Sequence, residues 1–127
     1  MRILLDTPVF LWAITEDSRL SHRHQTYYRD PASELYLSVA ACWEILIMVG
    51  VKKLDLPSPA SRFLMHQMEM NRIALLGVRA AHFEELEKLP PLHRDPFDRR
   101  MVAQARAESM PLMSVDSKLR KYKVKIL

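Results

Sequence analysis

Short apolar runs alternate with helix-periodic segments along this chain. The pattern predicts strand 2–5, helix 8–15, helix 21–29, strand 35–38, helix 39–50, helix 59–71 and strand 73–76. It continues with helix 79–88, helix 96–109, strand 112–115, a helical turn 117–121 and strand 124–126. Strands alternating with helices imply a parallel sheet covered on both faces, and short strands with few polar positions fit burial from both sides. The boundaries carry matching chemistry. Thr7 before Pro8 reads as an N-cap and first helical residue, Ser38 precedes the apolar helix 39–50, and Asp95 before Pro96 repeats the cap-and-proline arrangement. Leu56-Pro57-Ser58-Pro59 and Leu89-Pro90-Pro91 break helices and mark loops.

Four acids interrupt this pattern at awkward places. Asp6 directly follows Ile3-Leu4-Leu5, and Asp116 follows Leu112-Met113-Ser114-Val115, so both lie past strand ends. Glu44 is the one charged residue between Ser38 and Lys52, on a helix apolar nearly all round, which predicts a buried acid needing a metal or a buried Arg partner. Asp95 opens the polar stretch Asp95-Pro96-Phe97-Asp98-Arg99-Arg100. In an open α/β sheet, ligands bind beyond the carboxyl ends of the strands, where the strand order reverses, and the alternation brings all four acids to such an edge. Gathered carboxylates raise one another's pKa and cost stability unless a cation neutralises them, and Mg²⁺ or Mn²⁺ suits an all-oxygen site.

Each acid also has a structural explanation. With Thr7 as cap, Asp6 falls one residue outside the helix, which favours function. Glu44, at the sixth helical position after Ser38, lies beyond the first turn where the helix terminus acts. Asp95 and Asp98 read equally as N-terminal helix chemistry, and Asp116 as the cap of 117–121. Convergence of the four therefore carries more weight than any single position.

Size and composition narrow the field. At 127 residues and 49% hydrophobic content the chain reads as one domain spanning 1–127. Its longest apolar stretch, 39–51, is short of the ~20 residues that span a bilayer, so a soluble protein is expected. A single cysteine, Cys42, suits a reducing cytoplasm and reads as a core residue. Two glycines, Gly50 and Gly77, exclude glycine-rich phosphate loops. The net charge of +4 is concentrated late: residues 94–127 hold nine Lys or Arg against four acids, and this surface suits a polyanion such as nucleic acid. Arg94, Arg99, Arg100 and Lys118 are near enough in sequence to the acids to position substrate phosphates. Trp43 reads as core, as do Met65, Met68 and Met70. His22, His24, His66, His82 and His93 read as surface residues, and Ser109 and Ser114 lack a neighbouring His for a catalytic triad.

Several stretches together resemble the PIN-domain proteins, specifically the VapC-type toxin ribonucleases. They are Leu4-Leu5-Asp6-Thr7, Leu37-Ser38-x-Ala40-x-x-Trp43-Glu44-Ile45, Lys53-Leu54-Asp55-Leu56, Leu92-His93-Arg94-Asp95-Pro96-Phe97-Asp98-Arg99 and Ser114-x-Asp116. The resemblance covers essentially the whole chain. Pro8 departs from it, standing where many relatives have His. It implies a three-layer αβα sandwich with a parallel sheet of about five short strands. It also implies metal-binding catalytic carboxylates at Asp6, Glu44, Asp95 and Asp116, with Asp98 as an auxiliary acid. RNA would be the substrate, a VapB-type antitoxin the partner and a homodimer the assembly. The alternatives are a degenerate PIN-like module that binds RNA or protein, a haloacid-dehalogenase-type phosphatase and a signalling receiver. The phosphatase is disfavoured because Pro8 occupies the place of its second Asp, and the receiver because residues 45–54 contain no acid.

Overall fold

Four short parallel strands form the centre of the molecule, a computed structural model that describes residues 1–91 and 95–127. In chain order the elements are β1 (Arg2–Leu5), α1 (Thr7–Ile14), α2 (His22–Arg29), β2 (Glu34–Ser38), α3 (Val39–Gly50) and α4 (Ala60–Met70). They continue as β3 (Ile73–Leu76), α5 (Ala80–Lys88), α6 (Pro96–Ala107), β4 (Leu112–Met113) and a 3-10 turn, Ser117–Tyr122. The sheet order is β3-β2-β1-β4, so successive connections run one way to β3 and then return to the far side of β1. The order reverses at β1, whose carboxyl end is therefore the place where a sheet of this kind is expected to receive a ligand.

Strand alternation builds the three layers, because successive side chains point to opposite faces. Ile3, Leu5, Leu35, Leu37, Ile73 and Met113 join one core with Val9, Phe10, Ala41, Ile45, Leu64 and Met68 from α1, α3 and α4. Leu4 and Leu112 join a second core with Met101, Val102 and Ala105 of α6, and Leu119 and Tyr122 of the 3-10 turn. The result is the expected αβα sandwich, with four strands where about five were expected. Segment 124–126 makes only an isolated bridge between Leu112 and Ile126, because β4 itself is two residues long and offers little ladder.

Cap chemistry holds at most boundaries. Ser38 accepts from Ala40 N at 3.1 Å, and Asp95 accepts from Phe97 N at 2.9 Å with Pro96 in the first turn. Helix α1 departs from expectation. Thr7 is already helical and Asp6 is the N-cap, its carboxylate accepting from Thr7 N at 2.8 Å. The apolar helix α3 is not buried all round: Trp43 is 66% exposed, and Leu46 and Ile47 are also exposed, which corrects the assignment of Trp43 to the core. Met68 is buried as expected, but Met65 and Met70 are exposed. Two histidines expected at the surface are buried. His24 meets the Leu127 carbonyl at 2.7 Å through Nε2, and His82 accepts from Arg79 N at 3.0 Å through Nδ1. Cys42 is buried, as predicted. No helix among the described residues is long and apolar enough to cross a membrane.

Candidate acidic site at the strand carboxyl ends

Register alone aligns the centre of the site. Leu5 pairs with Leu37 of β2 and with Met113 of β4, so the residues that follow β1 and β4, Asp6 and Ser114, are neighbours. Asp6 N donates to Met113 O at 3.0 Å, and Ser114 Oγ donates to Asp6 Oδ2 at 2.7 Å. The same Ser114 hydroxyl accepts from Asp116 N at 3.1 Å. One buried hydroxyl thus ties the acid after β1 to the segment that carries the acid after β4. Sequence reasoning weighed Ser114 only as a nucleophile. The spacing Ser-x-Asp after a strand is the signal that could have identified it as a positioning group.

Asp6 is a buried carboxylate held by two donors, one per oxygen. Its pKa is raised above the ordinary value of 3.8, first by desolvation and further by the charges of Asp116 and Asp95, while the Ser114 and Thr7 donors pull it back. Glu44, half-buried on α3, is also raised: burial leads, with Asp95 and Asp6 adding to it, while Thr7 and the Arg100 charge oppose. Thr7 Oγ1 is a buried polar atom with no hydrogen-bond partner among the described residues. Glu44 was expected to be fully buried, but the outward turn of α3 leaves it partly open to solvent.

Asp95 and Asp116 do cap. Asp95 starts α6, and Asp116 accepts from Lys118 N at 3.0 Å to start the 3-10 turn. Both nevertheless act electrostatically on Asp6, and Asp95 also acts on Glu44. Asp98 is half-buried in the first turn of α6. Among the described residues no three His, Cys, Asp or Glu side chains are close enough to hold one metal ion. The donor chemistry still fits a hard divalent cation: the donors are all carboxylate oxygens, and one of them is a desolvated acid destabilised by its neighbours.

The basic candidates separate. Arg99 is half-buried and donates to Pro90 O at 2.8 Å. Arg100 is exposed, stacks 4.3 Å from the Phe97 ring and acts electrostatically on Glu44. Lys118 is exposed beside Asp116. Arg94 lies outside the described residues.

Replacing Ser114 by Ala removes the donor that lowers the Asp6 pKa and leaves Oδ2 unpaired. The Asp6 pKa should rise further in a carboxyl-carbon NMR titration, and stability should fall by about 1–3 kcal/mol in chemical denaturation.

The parallel αβα arrangement puts Asp6 at the topological switch point, the place where open sheets of this class bind their ligands. The PIN domain family model matches residues 3–125, and the chain belongs to that family. Solved structures with the same fold include VapBC2 from Rickettsia felis bound to a DNA fragment from their promoter. That match has a TM-score of 0.74 at 15% identity, covering 100% of this chain and 98% of that one. VapBC-1 from nontypeable Haemophilus influenzae matches with a TM-score of 0.73 at 14% identity, covering 100% and 97%. FitAcB from Neisseria gonorrhoeae matches with a TM-score of 0.59 at 19% identity, covering 98% and 96%. No curated protein matches the sequence.

Proposed function

We propose that this PIN-domain protein is a metal-dependent endoribonuclease, the VapC-type toxin of a type II toxin-antitoxin pair acting in the cytoplasm. The observation that supports the reading is Asp6: a buried carboxylate at the switch point, raised in pKa, oriented by Ser114 and electrostatically linked to Asp95, Asp116 and Glu44. Natural proteins tolerate such an arrangement where it serves a site. Asp6, Glu44, Asp95 and Asp116 would hold Mg²⁺ or Mn²⁺, which supplies a bound water of lowered pKa and charge stabilisation at the phosphoryl group.

The chain's own residues do the remaining work. Ser114, with Thr7 N, fixes the orientation of the Asp6 carboxylate. Glu44, desolvated and raised in pKa, is the group suited to accept the water proton, with Asp98 as auxiliary acid. Arg100 and Lys118 supply positive charge beside the acids for the RNA backbone. The exposed apolar face of α3, with Trp43, Leu46 and Ile47, supports a protein partner, for which a VapB-type antitoxin is the reading, and exposed Val78, Phe83 and Val115 support self-association into a homodimer.

The test is cleavage of end-labelled RNA by the purified protein. Products are expected with Mn²⁺ or Mg²⁺ and none with EDTA. Metal-independent products, or intact RNA with every metal, would contradict the reading, and intact RNA that the protein nevertheless binds would favour the degenerate binding module.

A further inference from the structure

Past Asp116 the chain changes character. From Ser117 to Leu127 it carries five cations, Lys118, Arg120, Lys121, Lys123 and Lys125, and no acid. The fold sets them apart from the apolar residues between them. A 3-10 turn repeats every three residues, so Leu119 and Tyr122 share one face, and both are buried in the second core. Val124 and Ile126 pack against the same core. All five cations are exposed, and among the described residues none of them forms an ion pair.

The path of this segment is fixed at both ends. Asp116 follows the carboxyl end of β4 and caps the turn, so Lys118 begins beside the acidic site. Leu112 N, at the amino end of β4, donates to Lys125 O at 2.8 Å, and Leu127 N donates back to Leu112 O at 3.0 Å. The cations therefore run from the acidic site along the β4 edge of the sheet to its opposite end. There Lys123 and Lys125 line an open hollow of about 330 Å³. The one acid in its wall, Glu85, is engaged by Arg106 at 3.4 Å and by Lys88 at 3.8 Å.

The character of the stripe selects its partner. Protein interfaces are anchored by apolar and aromatic side chains that become buried, and no large hydrophobic side chain from 117 to 127 is exposed. A row of cations without acids or apolar anchors suits a phosphodiester backbone, which is bound through charge and the release of counterions. Its like charges repel one another in the free protein, and a polyanion relieves that cost.

Resting on the ribonuclease reading, we infer that this stripe is a track for the RNA backbone, leading the strand from the acidic site along the β4 edge. Lys118 meets the phosphates next to the site, and Lys121, Lys123 and Lys125 meet those farther along. Such a track makes affinity depend on the length of the RNA and not on its sequence. It extends the footprint beyond the bond that the acids would cleave.

The experiment is fluorescence anisotropy of the metal-free protein with labelled single-stranded RNA of about 4 and about 12 nucleotides, over a range of KCl concentrations. The longer RNA should bind roughly tenfold more tightly or better. In Lys121→Gln/Lys123→Gln/Lys125→Gln that advantage should vanish, and the slope of log K against log salt should shrink by roughly 2. Lys52→Gln/Lys53→Gln/Arg62→Gln removes the same charge from exposed positions after α3 and on α4, and should keep both. Backbone amide signals of 118–125 in the native protein should shift with the longer RNA, a reading that needs no variant. Equal losses in the two triple variants, no loss in the first, or shifts only outside 118–125 would overturn the inference. Equal binding of an oligo-glutamate of the same length would also overturn it, in favour of an acidic protein partner. RNA cleavage is scored separately: binding on the stripe without cleavage would remove the nuclease and keep the track, and cleavage with binding indifferent to the stripe would do the reverse.

Discussion

Asp6→Asn is expected to lower RNA cleavage by roughly 10²–10³-fold, because several kcal/mol of transition-state stabilisation depend on the carboxylates and each 1.36 kcal/mol is tenfold. The same change should raise the melting temperature of the metal-free protein at neutral pH by about 2–6 °C. The sign follows from linkage. The folded-state pKa of Asp6 lies above the unfolded value, so the folded protein binds the proton more tightly. Stability then falls as pH rises from the ordinary value of 3.8 through the raised one, and stays lower above it. Asn removes that component. It also fits the local hydrogen bonds, since its oxygen can accept from Thr7 N and its amide can donate to Ser114 Oγ. Kinetics and thermal melts across pH check both halves: a variant that cleaves like the native protein, or that melts far below it, refutes the role assigned to Asp6.

Asp95→Asn and Asp116→Asn should separate capping from chemistry. Asn caps a helix about as well as Asp, so both variants should stay within about 0.5 kcal/mol of the native protein in denaturation. Cleavage should nevertheless fall roughly 100-fold in each, since a charged oxygen of the proposed cation site, one that acts on Asp6, is gone. The corresponding Ala variants should lose about 1 kcal/mol as well, through the broken bonds to Phe97 N and Lys118 N. Full activity in the Asn variants would reduce both residues to caps.

Local patterns made much of this legible from the sequence. Helix α3 and strand β3 occupy the residues the periodicity predicted, 39–50 and 73–76, because Ser38 caps the first and turn residues bound the second. Asp6, Glu44 and Asp116 were visible because each ends or breaks an apolar run, and Asp95 because it stands before Pro96 at a helix start. What escaped depends on distant partners. The apolar circumference of α3 reads as burial in sequence, yet the fold covers only the face bearing Ala41, Cys42 and Ile45 and leaves Trp43 outside. His24 is buried because a carbonyl 103 residues away meets it, and Ser114 gains its role from the register between β1 and β4. The Asp6 cap was misplaced by one residue because Thr7 and Asp6 are both good caps, and the strand's end decided between them.

The central claim is that the four carboxylates are a cation site anchored on Asp6. The direct measurement is thermal unfolding of the native protein and Asp6→Asn across a Mn²⁺ titration. Binding to the folded state alone stabilises by about 2.7 kcal/mol at 100 times Kd, so the native melting temperature should climb with Mn²⁺ while that of Asp6→Asn stays flat. A native protein indifferent to Mn²⁺, or an equal climb in both, would contradict the account.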